Sequence, residues 1–395
     1  MADGTLVSSV RGHIEPLVST LERIRDLEHI PASVFHQLGS SGYYRDRWRD
    51  GQVRGLPIAL EFIRQVAPIS AGVGLAASIH CEIVIAALRF SGRSPHQRAL
   101  LDQALDGTMI GCLAATEDRG GSDLHGVTTC ATPLGGDRWH LEGAKRYTTN
   151  LGTATHALVL ARTAGGDQPR HLLFLVELGL PGVNVRGFFP KLGVGPADAG
   201  RLELDVHLTR EEALLGPAGS GLVTLMRCLR YERLTVACGV LATARVALDL
   251  AIEFLRHREQ FGQRLFDMQA LKHRAGIAWT ELEASEALLQ RTVELVLQRR
   301  AREHHISAAK LHAARTANAV IDEALQMLGG RGYTTAFPIE RFWRDVRLAR
   351  IGGGSDEVML ETIGKGLDRR NPVIADRLDG LMRDELDLLS PDLLT

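Results

Sequence analysis

Five short stretches of this sequence hold residue types that could do chemistry. "IGGGSDE", residues 351–357, runs three glycines into Ser355, Asp356 and Glu357 ahead of an apolar helical pattern. Glycines let a backbone come close to a ligand, and the free N–H groups of a helix start favour polar ligand atoms. "AATEDRGGSDL", 114–124, offers the hydroxyls of Thr116 and Ser122 beside Gly120 and Gly121; alone it is a polar loop. "KRYTTN", 145–150, puts Tyr147 two residues before Thr149, so that both face one side of a strand. An aromatic ring and a hydroxyl there could flank a planar ring, although a cross-strand packing pair has the same pattern. "HREQFGQRLFDMQALKH", 257–273, has Arg258, Gln260 and Phe261 placed to clamp a phosphate and a ring, or forms an ordinary helix-turn-helix. "LGGRGY", 328–333, is a glycine stop at a helix C-terminus.

The elements that must position these groups fall into three textures. Helical periodicity runs from residue 14 to about 108, with "PASVFHQLGSSGY" closing a helix at Gly39 and "GLPIALEFIRQV" repeating apolar residues at three- and four-residue steps. Short, partly alternating segments punctuated by Gly, Pro and Asp follow to about 212, the pattern of an antiparallel β module. Long apolar-striped helices return from about 218 to 368 and suggest an antiparallel bundle. The fold class is therefore α+β: an N-terminal helical domain (1–109), a middle antiparallel β domain (110–216) and a C-terminal four-helix bundle (217–395). The acidic, leucine-rich tail after Pro372 has no assignment.

Bulk composition narrows the function. A length of 395 residues suggests two or three domains' worth of core, and a net charge of -1 gives no reason to expect nucleic acid or an anionic membrane as partner. The five cysteines, Cys81, Cys112, Cys130, Cys228 and Cys238, form no CxxC, so neither a disulfide framework nor a metal site is expected; reduced thiols suit a cytoplasmic protein. No cationic-then-apolar leader opens the chain, and the apolar run 69–90, interrupted by His80 and Glu82, suits a buried helix better than a membrane span.

No single stretch is decisive, but their order is. "ATEDRGGSD", "GAKRYTTN", "PKLG", "REQFGQRLFDMQA", "LGGRGY" and "RFWRDVRLARIGGGSDE" together resemble the acyl-CoA dehydrogenase family, over roughly residues 20–368. The resemblance implies a flavoprotein that binds FAD, works as a homotetramer or homodimer, oxidises an acyl thioester to its 2-enoyl form and passes electrons to an electron-transfer flavoprotein or similar acceptor. By the same resemblance Leu113, Ala115, Thr116, Gly121 and Ser122 contact flavin and cofactor phosphates, with Ser122 also near substrate. Tyr147 and Thr149 lie beside the flavin ring. Arg258, Gln260 and Phe261, with Gln269 downstream, reach the FAD of a neighbouring subunit, Gln326 and Gly330 also bind the cofactor, and Ser355 and Glu357 stand at the adenosine end.

The family's usual catalytic Glu, second residue of its "YEGTSE" loop, is Gly353 here. A base is still needed, because the α proton of the thioester must leave as the β hydride does. A minority of the family, of the isovaleryl-CoA dehydrogenase type, carries the Glu on the first long C-terminal helix in an "LERL" context. This chain reads "LRYERLTVACG", 229–239, which puts Glu232 at that place. Its helix neighbours at three and four residues, Cys228, Leu229, Thr235 and Val236, include no base, so burial should raise its pKa. Arg230 and Arg233, on other faces, are candidate substrate contacts, and the N–H of Gly353 a donor to the thioester oxygen. The plainer reading pairs Glu232 with an arginine of another helix, Arg350 or a neighbour.

Three departures bear on the substrate. "YRDRWRDGQVRG", 44–55, replaces a less basic family segment, Asp118 replaces the proline after "TE", and Arg230 stands where an acidic pantetheine contact is common. They open the possibility of a thioester on a carrier protein as well as on CoA. The rival functions are a flavin-dependent monooxygenase on the same fold, which keeps no helix base, and a catalytically silent subunit of a mixed complex.

Overall fold

The protein was analysed as a computed structural model that describes residues 10–49, 51–165 and 170–368 and a few positions from 374 to 382. Most of the acidic tail lies outside the described residues. The N-terminal helices that matter here are α1 (Val18–Ile24), α2 (Ala32–Ser40), α3 (Tyr43–Arg49), α4 (Gly51–Arg54), α5 (Leu56–Val66), α6 (Ala71–Ser91) and α7 (Pro95–Leu105). Local chemistry sets their starts. The Ser70 hydroxyl accepts from the Val73 N–H to cap α6, and Ser94 and Gln97 form a capping box on α7 with Pro95 at its first position. Gly39 is not the stop the sequence suggested. It sits inside α2, where any Cβ would strike the Asp106 backbone, and the left-handed turn comes at Gly42.

The apolar run 69–90 forms α6, and 89% of its most hydrophobic window is buried inside the protein. A π-helical stretch, Ile79–Ile85, widens its middle. There His80 donates through Nε2 to the Ala104 carbonyl and accepts from the Gly111 N–H at Nδ1; burial brings its pKa down to about 4. Glu82 takes both forks of Arg47, at 2.9 and 2.7 Å, with both side chains wholly inside. The basic stretch 44–55 thus spends one arginine on the core.

Seven strands follow: β1 (Gly111–Ala114), β2 (Cys130–Pro133), β3 (Arg138–Thr149), β4 (His156–Thr163), β5 (His171–Glu177), β6 (Val183–Phe188) and β7 (Ala199–Thr209). The sheet is mainly antiparallel, but β4 runs parallel to both β1 and β2, and the pairings β1–β4–β2–β3–β1 close a ring. Strands β4 and β5 read as nearly continuous apolar runs because both faces are buried. Leu158, Leu160, Leu173 and Leu175 face the helices, whereas Ala157, Val159, Phe174 and Val176 fill a core internal to the sheet.

The C-terminal part contains α8 (Gly221–His257), α9 (Gln269–Leu297), α10 (Glu303–Leu328), α11 (Ile339–Val346) and α12 (Asp356–Leu367). Its helices share one continuous apolar core with the N-terminal helices, from Val10 to Val346. Among the described residues the buried apolar side chains form two clusters, this one and the one internal to the sheet. Between α8 and α9 the chain makes a hairpin, β8 (Glu259–Gln260) and β9 (Gln263–Arg264), where the sequence had allowed a plain helix-turn-helix. Phe261 and Gly262 hold positive φ at its tip, as a two-residue hairpin turn demands.

Candidate active site

Two parts of the fold meet at the candidate base. Helix α8 carries Glu232, and the turn between α11 and α12 carries Gly352–Gly354. Ser355 caps α12, its hydroxyl accepting from the Val358 N–H at 3.4 Å. The backbone twists left-handed at Gly353 (φ 65°) and Gly354 (φ 106°) just before that cap. A Cβ built on Gly353 would stand 2.6 Å from Glu232 Oε2 and 3.2 Å from Oε1. The helix carboxylate therefore lies directly against the loop position that lacks a side chain.

Glu232 is 3% exposed and its carboxylate makes no hydrogen bond among the described residues; Oε2 is wholly buried and unpartnered. A buried polar atom without a partner costs roughly 1–3 kcal/mol, more when charged, so its presence calls for a role. The arginine pairing open to sequence reasoning is not formed. Arg350 donates to Asp356 through Nε at 2.9 Å, and its Nη2 lies 2.8 Å from the same carboxylate oxygen.

Glu232 is nonetheless not in a purely apolar setting. Lys310 of α10, itself wholly buried, donates from Nζ to the Gly354 carbonyl at 2.5 Å. Arg233 donates from Nε to the Gly353 carbonyl at 2.8 Å. Two cations thus hold consecutive carbonyls of the glycine turn, and neither forms an ion pair with Glu232. Arg233, set on another face by helical spacing, grips the turn. Burial pushes the Glu232 carboxyl up against the opposing pull of Lys310 and Arg233. Burial also brings Lys310 down to about 8, although Glu232 and Asp356 oppose it. The N–H of Gly353 has no acceptor among the described residues, so it is available to a ligand.

The flavin-side residues of the sequence reading gather at one edge of the sheet. Leu113 of β1 is paired with Thr149 of β3. The Arg146 N–H donates to the Thr116 carbonyl, and Gly121 abuts the Thr116 side chain so closely that a Cβ would sit 2.9 Å from its hydroxyl. Tyr147 does not share a face with Thr149 by simple alternation. A bulge between Lys145 and Thr148 breaks the register, and Tyr147 takes φ 55°. The bulge leaves its ring half exposed, 4.8 Å from that of Phe189 and beneath the Arg146 guanidinium.

The loop after β1 is held by a residue that sequence reasoning passed over. Glu117 accepts from the backbone and hydroxyls of Thr128 and Thr129 and from buried Lys145, which also reaches the Ala115 carbonyl. Burial opposes its charge, but these donors win and hold its carboxyl at about 2. Lys310 was missed as well. Its signal was a lysine on an apolar helix stripe, with Ile306, Ser307, Ala313 and Ala314 as neighbours.

The remaining expected residues lie elsewhere. Arg258, Gln260, Phe261 and Gln269 are exposed around the β8–β9 hairpin, and Gln326 and Gly330 are exposed at the end of α10. Phe261 is 92% exposed, and nothing stands near a Cβ built on Gly262, Gly329 or Gly330. Glu357 is exposed on the first turn of α12, and Ser122 is exposed on the loop after β1. Arg230 donates to the Ala301 carbonyl at 3.1 Å and pairs with Glu303 at 3.0 Å.

A bound FAD fits this donor set. The hydroxyls of Thr116, Ser122, Tyr147 and Thr149 have no hydrogen-bond partner among the described residues. They would serve the ring and phosphates, with the open glycine edges beside them leaving room. The described residues contain no group of three or more His, Cys, Asp or Glu that could hold a metal ion.

Comparison with known proteins identifies the family. Residues 112–206 match the acyl-CoA dehydrogenase middle domain and residues 219–367 its C-terminal domain. Acyl-[acyl-carrier-protein] dehydrogenase MbtN of Mycolicibacterium paratuberculosis is 31% identical over 355 residues, covering 88% of this chain and 90% of that one. Benzylmalonyl-CoA dehydrogenase of Aromatoleum aromaticum is 30% identical over 357 residues, covering 89% and 93%. The structure of butyryl-CoA dehydrogenase from Megasphaera elsdenii superposes with a TM-score of 0.85 at 25% identity, covering 92% of this chain and 97% of that one. With its helix–sheet–helix order, its glycine turn and its matching middle and C-terminal domains, the chain belongs to the acyl-CoA dehydrogenase family.

Proposed function

We propose that Glu232 is the base with which this FAD-dependent dehydrogenase oxidises an acyl thioester to its 2-enoyl form. The observation that carries the assignment is the buried, unpartnered Oε2 of Glu232, 2.6 Å from where a side chain on Gly353 would begin. In this reading the acyl chain lies between Glu232 and the flavin edge marked by Tyr147 and Thr149. The thioester oxygen accepts from the free N–H of Gly353, which steadies the charge that develops as the α carbon loses its proton. Glu232 Oε2 takes that proton, and the electron pair it leaves behind becomes the Cα–Cβ double bond. FAD, when bound, accepts the hydride departing from Cβ. Lys310 and Arg233 keep the turn in place, and burial keeps the Glu232 carboxyl basic enough to act and to release its proton afterwards.

Apolar groups stand ready for a second subunit. Phe261 at the hairpin tip and Tyr333 beside the Gln326–Gly330 segment are 92% and 84% exposed. They support a homodimer or homotetramer in which the hairpin reaches a neighbour's cofactor. Five free thiols, four of them buried, suit a cytoplasmic enzyme, with an electron-transfer flavoprotein or similar acceptor taking the electrons onward. A monooxygenase on the same fold would leave the orphaned carboxylate without a task, as would a silent subunit.

The test is Glu232→Gln. The purified variant should stay yellow and melt no lower than the parent, yet lose flavin reduction by an acyl thioester by several orders of magnitude in anaerobic stopped flow. Normal reduction by that variant would remove Glu232 from the mechanism.

A further inference from the structure

A basin of about 650 Å³ opens between α4, the end of α6, α8 and the α9–α10 turn. Arg54, Arg89, Arg227, Arg230 and Arg299 line it, with Tyr231 at its wall, and the described residues of its lining include no aspartate or glutamate. A second recess begins at the shared residue Arg299 and adds Arg291, Arg300 and Arg302. The chain as a whole carries a net charge of -1, so this concentration of charge is local. Internal pairing accounts for only part of it. Glu303 holds Arg230 and Arg227 is not free, but the guanidinium groups of Arg54, Arg89 and Arg299 have no ion pair or hydrogen bond among the described residues. Like charges held around one basin repel, and guanidinium forks are suited to carboxylate and phosphate.

The basin is not the acyl pocket. Arg227, Arg230, Tyr231 and Leu234 share one face of α8, and Glu232 lies roughly 150° around the helix from the centre of that face. An apolar acyl chain has no use for five guanidinium groups. Yet the basin is only about one helix diameter, roughly 10 Å, from the base, within reach of a long flexible arm that enters beside Arg230.

We infer that this arginine-lined face docks an acidic carrier protein, which presents the acyl group to Glu232 on its flexible thioester arm. The inference rests on the proposed dehydrogenase reading and assigns its partner. The arginines meet the carboxylates of the carrier surface, and Arg230 stands where the arm turns inward. Electrostatic docking of this kind acts on encounter and affinity and weakens with salt.

The experiment uses the flavin-loaded enzyme, an acidic holo-acyl-carrier protein without an acyl group, and free CoA. Binding of each is measured by calorimetry at low and high salt. The enzymes are the parent and the triple variant Arg54→Glu, Arg89→Glu, Arg299→Glu. The expected result is salt-sensitive binding of the carrier protein, weakened about tenfold or more in the variant, with CoA affinity little changed. Flavin content and melting temperature report whether the variant is folded; if it is not, the Arg→Gln triple decides by the same criterion. Carrier protein that does not bind the parent, or binds both enzymes alike, overturns the proposal. An equal loss for CoA overturns it in favour of the nucleotide as occupant. None of these outcomes bears on Glu232, whose role stands or falls with thioester-driven flavin reduction in Glu232→Gln.

Discussion

Adding one methyl group at Gly353 tests the site most directly. Two costs follow from the structure. Gly353 has φ 65°, where a residue with a Cβ is strained by about 1–2 kcal/mol. The new carbon would also lie 2.6 Å from Glu232 Oε2, closer than such contacts occur. Relief is available, because that oxygen is the free end of a side chain and not backbone. The carboxylate swings away while the turn, clamped by Lys310 and Arg233, stays in place. Gly353→Ala should therefore lower the melting temperature by only a few degrees.

Catalysis should suffer far more. Displacing a catalytic group by about 1 Å costs on the order of a hundredfold. Anaerobic stopped-flow reduction of the flavin by an acyl thioester measures the loss, and flavin content and melting temperature measure the rest. A double-mutant cycle isolates the contact: once Glu232→Ala has removed the carboxylate, Gly353→Ala should cost only its backbone strain. The reasoning fails if the Gly353→Ala enzyme reduces its flavin at the parental rate, or if the two stability costs simply add.

Three further outcomes are expected. Lys310→Met removes a positive charge that lowers the Glu232 pKa, so the acidic limb of the reduction rate should move to higher pH; an unchanged pH profile would show that Lys310 serves only the Gly354 carbonyl. Glu232 has a folded-state pKa above its unfolded value, so its contribution to stability is full below the unfolded pKa and is lost as pH rises through the folded one. Glu232→Gln should therefore melt progressively higher than the parent as pH rises past the ordinary carboxylate range, and a constant difference would contradict the raised pKa. Glu117 shows the opposite linkage: held at about 2, it stabilises above its unfolded pKa and loses that contribution only as pH falls towards about 2. Glu117→Gln strands the Lys145 ammonium in the interior, which should cost about 3–5 kcal/mol in denaturant unfolding and release flavin; a loss below about 1 kcal/mol would mean that Thr128 and Thr129 hold the loop unaided.

The fold was legible where one period dominates. Helix α8, Gly221–His257, opens the helical stretch expected from about 218, because its 37 residues of apolar stripe contain no proline. The β segments were found by length and punctuation, but their partners were not. Strand β4 runs parallel to β1 and β2 through long connections, and nothing local in "HALVLART" encodes that. Gly39 misled because a glycine that admits a neighbouring backbone looks the same in sequence as one that ends a helix. The bulge at Tyr147 was hidden for a related reason. An alternation argument assumes continuous register, and the extra residue that aims the tyrosine outward breaks it.

At the candidate active site, sequence singled out Glu232 as the proposed base and structure supplied its surroundings. Helical neighbours could show that no base accompanies Glu232 on its own stripe, but not what α10 would bring across the core. Lys310 comes from 78 positions later in the chain, and a lysine among alanines can equally point to solvent. Buried there, it holds the turn against which the proposed base stands. A glycine turn with two positive-φ residues is pliable, and a carboxylate aimed at it would gain little if the turn moved. Arg233 and Lys310 fix the turn through its own carbonyls and not through the carboxylate, so Oε2 stays unpaired. Had either cation paired with Glu232 directly, the loop would be looser and the base weaker. The arrangement gives up a buried ion pair and leaves both a turn held by its carbonyls and an unpaired oxygen for the proposed proton transfer.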